Sequence, residues 1–234
     1  MSVTCIIPAY NEAARIEAVL AVVVGHPLID DVIVVDDGSV DGTSDLVATI
    51  TGVSLIALPV NRGKTAALAQ AIAQASGAHL LLVDADLIGL TARDLSALIA
   101  PVLAGHADMS ISLRRNAPWL WRWIGIDYIS GERVLPKALI APQLARLQSL
   151  PKFGFEVFLN SLSIAATQRI AVVNWPDVVS PLKATKYGWW TGMRADVGML
   201  RDMLRSVPAL GLVRQIIAMR RLKVTQQRLP LAGP

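Results

Sequence analysis

Cysteine is all but missing from this 234-residue chain, which has Cys5 and no other. An internal disulfide is thereby excluded, and Cys5, inside the apolar run VTCII, reads as a buried, inert thiol. His26, His79 and His106 are scattered and read as surface or loop residues, so no Cys/His zinc cluster is expected. No apolar run reaches the roughly 18 uncharged residues that a membrane-spanning helix needs. None is expected, although the mean hydropathy of +0.49 is high for a soluble protein. A basic leader with a cleavage site is also missing ahead of VTCII, so no signal peptide is expected. Neither G-x-G-x-x-G nor G-x-x-x-x-G-K-[ST] follows the first apolar run, and the dinucleotide and P-loop readings lose their main support. Residues 1–110 lack tryptophan and are poor in bases, with 4 Lys and Arg against 12 Asp and Glu. Residues 111–234 reverse this with 18 against 6, and hold all six tryptophans (119, 121, 123, 175, 189 and 190). An acidic first part and a basic, Trp-bearing second part suggest two tasks on one chain. The plainer alternative is a solvated basic face. No nucleic-acid-binding motif is present, and nucleic acid is not an expected partner.

What is there is alternation. VTCII (3–7), VIVV (32–35), SLIAL (54–58) and LLLV (80–83) read as strands, the last suited to burial on both faces. Ile16, Val19, Leu20 and Val23 recur at helical spacing between the first two. A second helix follows Asp41-Gly42-Thr43, and a third runs from about Thr65 to Ser76, with Gly77 as its stop. Thr91 and Asp94 form a capping box for a fourth. Strict alternation predicts right-handed βαβ units, a mostly parallel sheet and helices on both faces. After about residue 110 the pattern loosens. DMSISL (108–113) reads as a strand, and Pro118 argues against regular structure in NAPWLWRWIG. Residues 135–150 and 154–169 read as helical, and 193–224 as basic amphipathic helices broken near Pro208. No repeat or linker divides the chain, which reads as one domain.

Ligands of such sheets bind beyond the carboxyl ends of the strands. All four of those ends are polar: PAYNE (8–12), DDGS (36–39), NRGK (61–64) and DAD (84–86). Each alone could be a turn; all four together point to a site. In an extended segment Asp84 and Asp86 would project to the same side. Two carboxylates held close repel unless a cation lies between or beside them. Mg²⁺ or Mn²⁺, hard ions that accept oxygen ligands and keep positions open for phosphate, would satisfy both.

In this order and spacing, IIPAYNE (6–12), VVDDGSVDGT (34–43), NRGK (61–64) and VDAD (83–86) resemble the family-2 glycosyltransferases of GT-A fold. The match covers about residues 3–113. The resemblance implies a Rossmann-like, mostly parallel sheet in a single domain, 1–234. Residues 1–110 would be the nucleotide-sugar-binding half, and 111–234 the acceptor-binding half with basic amphipathic C-terminal helices. It implies that Pro8, Tyr10, Glu12, Asp36 and Asp37 line the nucleoside pocket and that Lys64 lies near the base or phosphates. Asp84 and Asp86 would bind the donor diphosphate through its metal. In the second half, Asp127-Tyr128-Ile129-Ser130-Gly131-Glu132-Arg133 is similar to a D-x-x-S-G-x-R segment of the dolichol- and polyprenyl-phosphate glycosyltransferases. Arg114 or Arg115 would then lie near the acceptor.

The expected reaction is inverting sugar transfer from a nucleoside-diphosphate sugar. A hydroxyl acceptor requires a carboxylate base, for which Asp127 and Glu156 are the candidates. A lipid phosphate requires none, and Arg133 would grip it. Plainer roles stay open, a surface ion pair for Arg133 and a basic partner for Glu156. The basic, aromatic stretch 182–200, with Lys186 and Trp189 able to fold over the donor, and the stretch 212–224 suit an interfacial helix on an anionic membrane. Packing back on the domain is the alternative. The expected setting is cytoplasmic, peripheral on the inner face of the cytoplasmic membrane, with a lipid-linked or glycan acceptor. Two other readings remain: a soluble enzyme with a hydroxyl acceptor, and a catalytically silent nucleotide-sugar-binding subunit.

Overall fold

The computed structural model describes residues 1–147, 150, 154–181 and 209–224. Its centre is the continuous apolar run that forms β1 (Val3–Ala9). β1 is flanked on both sides by parallel partners, β2 (Asp31–Asp36) and β4 (His79–Leu82). Side chains alternate across a strand, so β1 feeds two cores. Val3, Cys5 and Ile7 enter one with Val32, Val34 and Leu81. Ile6 enters the other with Ile33, Val35, Leu80 and Leu82. Helices α1 (Ile16–Val23) and α4 (Ala92–Leu103) cover the first face. The Ala-rich α3 (Lys64–Gln74) and α8 (Gly154–Ala165) cover the second. Cys5 is fully buried, and burial with the Asp31 charge raises its pKa well above the thiol range.

Seven strands form one sheet in the order β3-β2-β1-β4-β6-β5-β7. Here β3 is Ser54–Ala57, β5 Met109–Arg114, β6 Arg133–Pro136 and β7 Ile170–Trp175. Only β6 runs against the rest, antiparallel to both β4 and β5. The chain moves outward from β1 through β2 to β3, then returns to place β4 on the other side of β1. The crevice beyond the ends of β1 and β4 is therefore the switch point of the topology.

The first half follows expectation closely. Helix α2 is Thr43–Ala48. At Thr91 the capping box is present: its hydroxyl accepts the Asp94 N–H at 3.3 Å, and the Asp94 carboxylate accepts the Thr91 N–H at 3.0 Å. Three expectations are corrected. Helix α3 stops at Gln74, and Gly77 serves close packing, because a Cβ there would stand 2.6 Å from the Thr4 nitrogen. The fourth strand ends at Leu82, one residue short of the expected Val83, and Asp86 lies in a turn rather than in an extended segment. His26 is buried, and its Nε2 hydrogen-bonds with the Ala92 carbonyl at 3.0 Å.

The second half departs further. Residues 133–136, expected in part as helix, form the strand that fills the gap between β4 and β5. The strand Ile170–Trp175 was not anticipated. A short helix α5 (Trp119–Ile124) starts directly after Pro118, whose missing N–H costs nothing at a helix start. Residues 137–147 are helical in short pieces, α6 (Lys137–Ile140), a 3₁₀ turn (Ala141–Gln143) and α7 (Leu144–Leu147). The basic C-terminal run forms α9 (Ala209–Leu222). One face of α9 packs on the domain: Met219 is fully buried, and Gln215 joins the Tyr128 hydroxyl to Ser161. Its other face exposes Leu210, Val213 and Ile217. The stretch 182–200, with Lys186 and Trp189, lies outside the described residues. No helix among the described residues is long and apolar enough to cross a membrane.

Candidate active site

A cavity of about 400 Å³ opens at the switch point. From the β1 end it is lined by Pro8, Tyr10 and Glu12, and from the β2 end by Asp37. Lys64, Asp84, Asp86 and Glu156 complete its charged wall.

Local hydrogen bonds set the first wall. Asn11 takes a left-handed conformation (φ 55°), which asparagine tolerates better than most residues. Its amide oxygen accepts the Val40 N–H at 2.9 Å, while its own N–H donates to Ser39 Oγ at 2.8 Å. The N–H groups of Glu12 and Ala13 donate to Thr43 and Asp41. The loop after β1 is thus laced to DDGSVDGT. Asp36, expected in the nucleoside pocket, is buried and stands behind it, accepting from the Ser39 and Ser44 hydroxyls. Asp37 does line the cavity. Its two oxygens accept the Arg62 and Gly63 N–H groups at 2.7 Å each, which holds NRGK in place. Gly38 permits the approach, with φ +74° and a hypothetical Cβ only 2.7 Å from the Val60 carbonyl carbon.

Lys64 begins α3 and projects into the charged wall. Its Nζ lies 2.8 Å from Asp84 Oδ1 and 3.4 Å from Glu156 Oε1. Burial works to lower its pKa, but the charges of Asp84 and Glu156 outweigh this and hold the ammonium above the ordinary lysine range. Ser180 Oγ approaches Asp86 Oδ1 at 3.4 Å. Gly131 lets the 127–133 loop close on Asp84, since a Cβ there would stand 2.8 Å from Asp84 Oδ2.

That loop is the site's rear support. Glu132 is fully buried; its carboxylate accepts from Ser112 (2.8 Å), Ser130 (2.9 Å) and Arg114 Nη1 (3.2 Å). Asp127 is fully buried as well, with Arg114 Nη2 at 3.8 Å and no hydrogen bond to its Oδ2. Burial, opposed by Arg114 and reinforced by Glu132, pushes the Asp127 carboxyl up to about 6. Burial also works against the charge of Arg114, yet Glu132, Asp127, Asp84 and Asp86 together raise its pKa. Arg115 is exposed, with its backbone N–H bonded to the Trp175 carbonyl at 3.0 Å.

Arg133 requires a correction. A surface ion pair and a grip on an acceptor phosphate both need an accessible guanidinium, and this one is fully buried off the cavity lining. Its Nε and Nη2 donate to the Ser130 carbonyl (3.0 and 2.6 Å) and its Nη1 to Asn160 Oδ1 (2.9 Å). Asn160 donates in turn to the Tyr128 carbonyl at 2.9 Å. Arg133 and Asn160 brace the loop from behind. Of the three catalytic candidates in the second half, Glu156 alone lines the cavity. The support residues Asn160 and Ser180 were not singled out from the sequence, and Glu132 was read only as part of the D-x-x-S-G-x-R segment. The one available signal was Asn160, a polar position inside the apolar helix VFLNSL.

A sequence profile of the family described as "Glycosyl transferase family 2" matches residues 4–154. The chain belongs to glycosyl transferase family 2. Glucosyl-3-phosphoglycerate synthase of Mycobacterium tuberculosis is 32% identical over 114 residues, covering 45% of this family member and 35% of the relative. Undecaprenyl-phosphate 4-deoxy-4-formamido-L-arabinose transferase of Aeromonas hydrophila is 32% identical over 128 residues (51% and 39%). Dolichyl-phosphate beta-glucosyltransferase of Dictyostelium discoideum is 26% identical over 175 residues (68% and 48%). This family 2 chain thus spans between about a third and a half of the length of these relatives. The crystal structure of the mycobacterial synthase with Mg²⁺ and UDP superposes with a TM-score of 0.66 at 24% identity. That likeness covers 88% of this chain and 79% of the other, and shows the shared GT-A fold.

The acids fit a divalent cation of the kind this family's resemblance implies. Asp84 and Asp86 supply hard oxygen donors on one cavity wall, beside a lysine that can balance a phosphate. Among the described residues no group of three or more His, Cys, Asp and Glu side chains could hold a metal. Mg²⁺ and Mn²⁺ accept further oxygen ligands readily, including those of a bound phosphate.

Proposed function

We propose that this family 2 protein is an inverting glycosyltransferase that moves a sugar from a nucleoside-diphosphate sugar to a lipid-linked phosphate, at the surface of the membrane holding that lipid. The observation that carries the reading is the division of the switch-point cavity into a nucleoside-sized wall and a charged wall. Pro8, Ala9 and Tyr10 offer apolar surface for a nucleoside; Lys64, Asp84 and Asp86 offer the charges that hold a diphosphate. The mycobacterial neighbour is crystallised with UDP-glucose and Mn²⁺, and with UDP and Mg²⁺, which supports a uridine nucleotide and either ion.

Asp84 and Asp86 would hold the cation, which when bound supplies Lewis-acid stabilisation of the charge on a departing diphosphate. Lys64 stays protonated and adds a fixed positive charge on the same side. Glu156 and Asp84 hold its ammonium in place. The acceptor oxygen forms a bond to the anomeric carbon from the face opposite the diphosphate, the bond to the diphosphate oxygen breaks, and the nucleoside diphosphate leaves with that electron pair. A phosphate acceptor is already an anion, so no proton has to move. The names of all three relatives carry a phosphate-bearing molecule: phosphoglycerate, undecaprenyl phosphate and dolichyl phosphate.

A second reading is favoured by Glu156, an acid of the second half whose carboxylate reaches the cavity. It could take a proton from a hydroxyl acceptor such as a phosphorylated metabolite or a glycan. The test offers labelled UDP-glucose and Mn²⁺ with undecaprenyl phosphate in micelles, 3-phosphoglycerate, or a glycan. Label in the lipid fraction with UDP release supports the proposal. Transfer to a hydroxyl acceptor but to no lipid phosphate overturns it, and no nucleoside-diphosphate release when UDP-, GDP- and dTDP-sugars are each supplied favours a silent binding subunit.

A further inference from the structure

We propose that the face formed by α5 and the end of α9 is a docking site for an anionic bilayer, with a second cavity that takes a lipid headgroup phosphate. The inference rests only on the membrane part of the reading above, and no residue lines both cavities.

Helix α5 is turned the wrong way round for a soluble protein. Trp121 points inward, 8% exposed, and stacks on Tyr128 with ring centroids 5.7 Å apart. Trp119 and Trp123, one turn apart on the opposite side, are each 76% exposed. Tryptophan side chains usually bury about 150–250 Å² each, so exposing two together marks a contact surface. Residues i, i+3 and i+4 share a helix face, which places Arg122 between them.

Beside this stripe lies a cavity of about 610 Å³ between α5, the sheet edge at Val172 and Asn174, and the end of α9. Arg122, Arg220 and Lys223 line it, and no Asp or Glu does. Lys223 Nζ donates to the Gly125 carbonyl at 3.0 Å and Arg122 to the Arg115 carbonyl at 3.4 Å. Those partners are neutral. Among the described residues none of the three cations forms a salt bridge. Three cations around one cavity, with no acid beside them among the described residues, call for an anion.

Charge argues against the chain's own remaining segments as the occupant. Residues 182–208 hold 5 Lys and Arg against 2 Asp and Glu, and residues 225–234 hold one Arg and no acid. Both carry a net charge of the same sign as the patch. Anionic lipid complements the patch: phosphate for the three cations, and a polar-apolar boundary for Trp119 and Trp123. The Trp121–Tyr128 stack ties this face to the 127–133 loop, where a Cβ on Gly131 would meet Asp84.

The test is co-sedimentation of the full chain with phosphatidylcholine vesicles, with and without phosphatidylglycerol, at low and high salt. Binding should require phosphatidylglycerol and weaken with salt. Arg220→Ala with Lys223→Ala should weaken it about 30-fold, at about 1 kcal/mol per removed surface cation. Trp119→Ser with Trp123→Ser should abolish quenching of tryptophan fluorescence by brominated lipid. Equal binding to neutral vesicles, or wild-type affinity in both double variants, overturns the inference. So does inhibition of vesicle binding by an acidic peptide or an RNA at lower concentration than by free phosphoglycerol lipid. UDP release with a short-chain, water-soluble polyprenyl phosphate should be unchanged in Arg220→Ala with Lys223→Ala. Vesicle binding without transfer to any lipid phosphate would sink the proposed reaction and leave this inference standing.

Discussion

The two halves of the molecule use polar residues in opposite ways. In the first half the acids and amides lie just past strand ends, where short loops bind one another and leave Tyr10, Glu12, Asp84 and Asp86 facing a cavity. In the second half the polar residues of the D-x-x-S-G-x-R segment turn inward. Asp127, Ser130, Glu132 and Arg133 are all fully buried. The difference teaches that a motif can serve a site without touching it: the buried group stiffens the loop that closes on Asp84. Such a network is expensive to break, because each buried polar group loses its partner without regaining water.

The sharpest way to break the comparison is to remove the front carboxylates. Asp84→Ala or Asp86→Ala should lower donor turnover by about 1000-fold or more while leaving the urea midpoint near wild type. EDTA should do the same, reversibly on adding Mn²⁺. Metal-dependent turnover persisting in both variants would refute the assignment. Arg133→Ala should do the converse. It leaves the Ser130 carbonyl and Asn160 Oδ1 without their guanidinium donors and opens a void, and should cost about 3 kcal/mol or more in urea unfolding. Wild-type stability with lost acceptor affinity would instead restore a phosphate-binding role.

Lys64→Met should raise the donor KM by about 10- to 100-fold, since the charge facing the diphosphate is lost and Asp84 and Glu156 lose their shared ammonium. Asp127 gives the smallest and most diagnostic effect. Its pKa is raised from 3.8 to about 6 in the folded protein. The folded state therefore holds its proton more tightly than the unfolded one. The associated stability is fully present below pH 3.8, declines as pH rises, and is gone above about pH 6. Asp127→Asn removes this dependence. Relative to wild type it should gain about 2 kcal/mol between pH 4 and pH 7, measured by denaturant unfolding. A gain that runs the other way would show that Arg114 dominates the site and keeps the carboxylate charged.

Much of the first half was legible in the sequence because its signals are local. Continuous apolar runs, helical spacing at Ile16 to Val23 and the Thr91–Asp94 box depend on neighbours in the chain, and each appears where expected. The polar strand ends were legible for the same reason, since parallel strands bring their carboxyl ends to one edge. Asp36 was misplaced because spacing does not tell which way the last residue of a strand turns its side chain, here toward Ser39 and Ser44. The antiparallel β6 was hidden because RVLP has no strand pattern of its own; it is a strand because β4 and β5 leave a gap of one strand's width.

By itself, then, the sequence determined a strand-helix alternation and four polar strand ends, and through them the family and the position of a site. Tertiary structure alone decided which acids face the cavity and which stand behind it. It sent Arg133 inward, brought Glu156 of a distant helix to 3.4 Å from Lys64, and turned Trp121 in while leaving Trp119 and Trp123 out. The reason is physical: periodicity records which side of an element is apolar, whereas burial of a charge depends on partners brought together from remote parts of the chain.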